Sequence, residues 1–165
     1  MKAINGLLSN LLVVVNGSDS SIAAAKYAVA LGKTMGSAVT AAYVVDTATI
    51  RQLAMSRIFV DEESEEYERS LEDTGKRYLA YVEEIGRSKS VQVATRLLNG
   101  SIAGAVVKFA EELRADCILL GSSGTRDSEF RDVILEAYRE IAKVAPCSVL
   151  YVRSDAAEAV FKTLR

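Results

Sequence analysis

A doubly wound, five-stranded parallel α/β fold with helices on both faces is the architecture this chain predicts, on three observations. Short continuous apolar runs recur, the clearest being Leu11 to Val15, Val39 to Val45 and Cys117 to Leu120. Runs without alternation belong to strands covered on both faces, as in a parallel sheet. Turn signals close the runs, and segments of helical apolar period come between them. Strand and helix then alternate along most of the chain, which is the pattern of crossover connections rather than hairpins.

Taken in order, Leu11 to Val15 is the first strand, and Asn16-Gly17-Ser18 its turn. Ser18 or Asp19 can cap a helix from about Ser20 to Met35, with Ile22, Ala25, Val29 and Leu31 at helical spacing and Gly36 as its stop. Val39 to Val45 is the second strand, closed by Asp46. From Thr47 to about Asp61 no period is clear, so this reads as the longest loop. The acidic run from Asp61 to Glu68 opens a helix to about Ile85, because carboxylates suit the positive end of a helix dipole. Tyr67, Leu71, Tyr78, Tyr81, Val82 and Ile85 give that helix an apolar face. Val91 to Leu98 is the third strand, and Ser101 caps a helix to Leu113. Asp116 to Leu120 is the fourth strand, and Ser128 to Val144 a helix broken by Ala145-Pro146. Ser148 to Val152 is the fifth strand. Ser154 is a cap candidate for a short C-terminal helix within 154–165, with Ala156, Ala159, Val160 and Leu164 at helical spacing. No linker or repeat interrupts the pattern. One domain over residues 1–165, with an N-terminal extension of 1–9, is therefore expected.

Composition narrows the function. Half the residues are apolar and a quarter charged, the balance of a packed globular chain. A net charge of −2 offers no basic field for nucleic acid and no polybasic membrane anchor. The N-terminal apolar run is broken by Ser9 and Asn10, too short for a signal peptide or a membrane span. Two cysteines, Cys117 and Cys147, point to a reducing compartment, and a cytoplasmic location is expected. The chain contains no histidine. Histidine-based triads and histidine-built zinc sites are thereby excluded, and general acid–base work would fall to carboxylates, lysine or tyrosine. No catalytic residue, metal ligand or resident cofactor is expected.

Ligands of open α/β sheets bind beyond the carboxyl ends of the strands. Three loops leave such ends: Asn16-Gly17-Ser18, the segment from Asp46, and Gly121-Ser122-Ser123-Gly124. Small residues in the last let backbone N–H groups approach an anion at a helix N-terminus. The same glycines serve equally as a turn that needs positive φ.

Val13-Val14-Val15-Asn16-Gly17-Ser18, Tyr43-Val44-Val45-Asp46 and Gly100, and most specifically the stretches from Ala110 to Gly124 and from Ala145 to Val152, carry a family likeness. On these, residues 10 to 153 resemble the universal stress protein family. The resemblance implies a Rossmann-like sheet of the adenine nucleotide α-hydrolase type, a role in the stress response, and a homodimer formed through the last strand. It also implies a candidate nucleotide site at Asn16, Gly17, Ser18, Val44, Gly121, Ser122, Gly124 and Thr125, with Val44 at the adenine side. Nucleotide-binding members place phosphates on Gly-x-x-Gly, nine residues, then Gly with Ser or Thr. Gly121 and Gly124 match the first half. The second half falls on Ile134-Leu135 or Leu135-Glu136, and no glycine follows Gly124. Asn16 stands where those members usually carry Asp. ATP binding is therefore expected to be weak or absent, while the base half of a pocket for ATP or AMP survives better. Asn16 to Ser20 is also similar to the Ser-Gly-Gly-x-Asp-Ser loop of ATP pyrophosphatases, but it lacks the second glycine and is one residue short.

Val149, Leu150, Tyr151 and Val152 in the last strand carry no gatekeeping charge, so an apolar edge there needs a partner strand or a cover. A second copy of the chain is one expectation, the C-terminal tail folding over the edge the other. Further stress-response or regulatory proteins are expected partners; nucleic acid and membrane are not.

Overall fold

Leu12, Val13 and Val14 sit at the centre of the molecule because both faces of their strand are covered, and none is more than 2% exposed. The computed structural model describes residues 7–122 and 128–165, with the backbone alone for 128–132. β1 (Asn10–Val15), β2 (Ala38–Asp46), β3 (Val93–Gly100), β4 (Cys117–Gly121) and β5 (Ser148–Val152) form one parallel sheet in the order β3-β2-β1-β4-β5. Val13 pairs with Ala41 on one side and Leu119 on the other. The chain winds outward from β1 in both directions, so the crevice between β1 and β4 is the topological switch point.

Around the sheet lie α1 (Asp19–Met35), α2 (Thr47–Met55), α3 (Asp61–Ser88), α4 (Ile102–Leu113), α5 (Ser128–Val144) and α6 (Ser154–Thr163). One face packs Leu11, Val13 and Val15 against α1, α3 and α6, and the other packs Leu12 and Val14 against α4 and α5. Fully burying a leucine or valine contributes about 1.5–3 kcal/mol, whereas an exposed ion pair contributes under about 1 kcal/mol. The core therefore outweighs pairs such as Arg69–Glu65 (3.8 Å), whose side chains both stand mostly in solvent, and Arg87–Glu83 (3.7 Å), whose arginine does.

Caps behave as their residue types require. The Ser18 hydroxyl accepts from the Ser21 N–H and the Ser101 hydroxyl from the Gly104 N–H, while Gly36 closes α1 at φ +72°. Several expectations need correction. The stretch from Thr47 is not a loop throughout: Asp46 caps a helix of 9 residues, its carboxylate accepting from the Thr49 N–H. α3 runs on to Ser88, β3 begins and ends two residues later than its apolar run suggests, and β4 is displaced by one. On α3, Leu79, Val82 and Ile85 are buried, while Tyr81 and Tyr67 are 47% and 37% exposed. Arg153, not Ser154, occupies the cap position of α6, and it makes no side-chain cap bond.

β5 is an edge strand, as its sequence predicts. α6 turns back onto α1: Ala157 is fully buried, Lys26 pairs with Glu158 at 2.7 Å, and the Phe161 ring lies beneath Lys26 and Lys89. Its inward face is thus Ala157 and Phe161, whereas Ala156, Ala159 and Val160 face solvent. Among the described residues, no helix is long and apolar enough to cross a membrane.

Candidate functional site

The loop leaving β1 is held by its own polar groups. Asn16 Oδ1 accepts from the Ser18 N–H (3.0 Å) and from Ser18 Oγ (2.6 Å), and Asn16 Nδ2 donates to the Tyr138 hydroxyl (3.1 Å). The Asn16 N–H donates to Ser21 Oγ, which in turn donates to the Ser18 carbonyl. Ser20 and Ser21 are both buried within this network. Gly17 takes φ +83°, and a Cβ there would stand 2.5 Å from the Tyr78 ring. The loop therefore needs glycine for conformation and for space.

The end of β4 presses on the same place. A Cβ on Gly121 would meet the Ser20 backbone carbonyl at 2.6 Å, so only glycine lets β4 pass so close to α1. The Ser122 N–H donates to the Val152 carbonyl (2.9 Å), leaving that donor committed to the sheet. Of the other residues singled out in this loop, Ser123, Gly124 and Thr125 lie outside the described residues.

Beyond β1 and β2 opens a chamber of about 470 Å³. Val14, Val15, Tyr43 and Val44 from the sheet form its floor. Ile50 and Leu53 of α2, with Phe59, make one wall, which continues into Tyr67 and Leu71 of α3. The opposite wall is Val133, Ile134 and Tyr138 of α5, with Ile102 at the start of α4. Aromatic contacts brace it: Tyr43 stacks on Tyr78 at 6.4 Å and 11°, and Phe59 meets Tyr67 at 5.7 Å and 51°. Polar side chains enter at Asn16, Asp46 and Thr49. Both Asp46 oxygens accept from Thr49, one from its N–H (3.1 Å) and one from its hydroxyl (2.7 Å).

Two of the chamber's phenols, Tyr43 and Tyr138, stay protonated at neutral pH. Burial pushes the Tyr43 hydroxyl up, with the neighbouring Tyr78 and Tyr67 adding to it, and burial does the same to Tyr138 with Tyr151 adding. The thiols lie outside this chamber's lining. Burial raises Cys117 to about 11, helped by Cys147 and Asp116, and raises Cys147, with Asp116 second. Both are therefore thiols, not thiolates, at neutral pH. Among the described residues, no group of three or more carboxylates and thiols is placed to hold a metal ion.

Asn16 and Val44, expected at the site, do line the chamber. Gly17 and Ser18 shape the loop beside it, and Gly121 and Ser122 sit at the junction of β4, α1 and β5. In β5, Leu150 packs on the α1 side, Val149 on the α4 side, Val152 is buried, and Tyr151 is 44% exposed with its hydroxyl donating to the Tyr138 carbonyl. The α2 wall and Tyr138 are the features that sequence reasoning missed. The Asp46-x-x-Thr49 capping pair and the Ile134, Tyr138, Ile141 spacing were the signals available.

This combination of a parallel sheet, a switch-point crevice and a ligand-sized chamber defines a Rossmann-like α/β protein. The chain belongs to the universal stress protein family, whose family model matches residues 8–153. It is 30% identical over 152 residues to a universal stress protein of Methanocaldococcus jannaschii, covering 92% of this chain and 86% of that one. Its fold matches a universal stress protein from Lactobacillus plantarum with a TM-score of 0.65 at 24% identity, covering 88% and 98% of the two chains. It also matches a universal stress protein family protein of Arabidopsis thaliana with AMP bound, with a TM-score of 0.60 at 16% identity and coverage of 91% and 94%.

Proposed function

We propose that this chain is a homodimeric regulatory module of the stress response in which ATP binding is weak or absent. The observation that carries this reading is the α5 wall. Ile134, at a position where nucleotide-binding relatives are expected to carry the small pair, lines the chamber with a branched side chain, and Val133 lies beside it. A branched side chain takes the space in which backbone must approach a phosphate, and Asp46 adds like charge for a polyanion. The committed Ser122 N–H supports the same reading from the β4 side. No catalytic step is part of the proposal, since the buried phenols and thiols are held away from ionisation.

A second reading keeps an adenine nucleotide in the base half of the crevice, against Asn16 and Val44. The AMP-bound Arabidopsis protein of the same fold favours it. For the dimer, β5 with its exposed Tyr151 is the surface we assign, and Tyr151→Lys is a cleaner probe than Leu150→Lys because Leu150 packs into the core.

Calorimetric titration with ATP and with AMP, together with the mass in solution by light scattering, tests these readings. Wild type is expected to be a dimer that binds ATP more weakly than about 1 mM. The double substitution Ile134→Gly, Leu135→Ser should gain ATP affinity, provided circular dichroism shows that α5 survives two less favourable residues. Stoichiometric ATP carried through purification would overturn the first reading. A monomeric wild type, or a Tyr151→Lys dimer of undiminished strength, would remove β5 as the interface.

A further inference from the structure

The chamber has a lining whose chemistry is specific enough to name a class of ligand. Its volume of about 470 Å³ falls within the roughly 300–1,000 Å³ of small-molecule pockets. Apolar and aromatic side chains form its floor and both walls, and a few polar side chains enter at Asn16, Asp46 and Thr49. Small-molecule sites have this composition: apolar surface supplies affinity, and a few polar groups set orientation.

We propose that the chamber binds an uncharged, largely apolar ring compound. Ring faces find Tyr43 in the floor, Tyr67 on one wall and the branched side chains of Val133 and Ile134 on the other. Aromatic pairs favour offset or tilted stacking at centroid separations of about 4.5–7 Å, the range already adopted by Phe59 with Tyr67. Asp46 turns away anions, yet its oxygens retain lone pairs beyond those facing Thr49 and can accept from a ligand hydroxyl or amine. α2 supplies Thr49, Ile50 and Leu53 to the lining, so α2 is part of the binding device and not merely a connection. This inference rests on the reading that no triphosphate occupies the crevice.

Nile red, an uncharged fused-ring dye whose emission brightens and shifts to the blue in apolar surroundings, is the probe. Titrated with the full chain, it should give a saturable signal with one site per chain, unchanged by millimolar ATP. Leu53→Trp and Val133→Trp, which place an indole in the chamber from opposite walls, should each weaken the dye about tenfold or more, as loss of its contact surface implies. Val133 is 47% exposed, so Val133→Trp tests the idea even where Leu53→Trp disturbs folding, as judged by circular dichroism. Met55→Glu, at a residue 84% exposed outside the chamber lining, should leave dye binding unchanged. Absence of a saturable signal, or a signal that survives Val133→Trp and falls with Met55→Glu, would overturn the inference alone. Displacement of the dye by ATP would overturn the weak-ATP reading together with it.

Discussion

The two loops that border the chamber, after β1 and after β2, are built on opposite plans. After β1, the chain from Asn16 to Ser21 is knotted by short hydrogen bonds, roofed by Tyr78 at Gly17 and pressed by Gly121 at Ser20. After β2, the chain from Asp46 to Phe59 borders open volume and lines it with Ile50, Leu53 and Phe59. One side is filled and polar; the other borders open volume and is mostly apolar, with Asp46 and Thr49 at its start. A filled, hydrogen-bonded loop fixes geometry at the expense of spare donors, whereas a hollow apolar wall leaves contact surface free for something else. Around one chamber, the hydrogen-bonded loop and the open apolar wall follow different strands.

The sharpest way to break this contrast is Gly121→Ala. The new methyl would stand 2.6 Å from the Ser20 carbonyl carbon and oxygen, which are backbone and have no rotamer to yield. Overpacking of this kind should lower stability by about 3 kcal/mol, read as a drop in the urea midpoint at unchanged m-value. Asn16→Ala should come next. It removes the acceptor for Ser18 and the donor to the buried Tyr138 hydroxyl, for a loss of about 1.5 kcal/mol in the same unfolding measurement. Leu53→Ala should come last, at about 1 kcal/mol or less, because that side chain already borders open volume and is half-buried. An inverted order, with Leu53→Ala the most damaging, would mean that the hollow wall and not the knotted loop holds the crevice together.

Much of this was legible in the sequence, for a physical reason. β1, β2 and β4 are buried on both faces, so their apolar runs are continuous and stand out without any alternation. Ser18, Gly36 and Ser101 announced helix ends because their chemistry acts within a few residues along the chain. α2 did not show itself. Thr47, Thr49 and Ile50 are β-branched, only Ile50 is buried, and the helix forms by seating Ile50 and Leu53 over the ends of other elements. β3, an edge strand with mixed burial, was legible as a strand but not in its boundaries. At the site, Asn16 and Val44 could be named from local likeness. The chamber around them could not, because Phe59, Tyr67 and Tyr138 are far apart in sequence and meet only through tertiary packing. For the same reason, the close approach of Gly121 to the Ser20 backbone was not legible in the sequence.

The aromatic bracing of the chamber has an optical consequence. The chain holds seven tyrosines and no tryptophan, so its native ultraviolet emission comes from phenols alone. Three of those phenols, Tyr43, Tyr67 and Tyr138, stand around the chamber, and Tyr78 stacks on the first. A molecule entering between them perturbs the emitters directly, so the unlabelled protein carries its own gauge of occupancy.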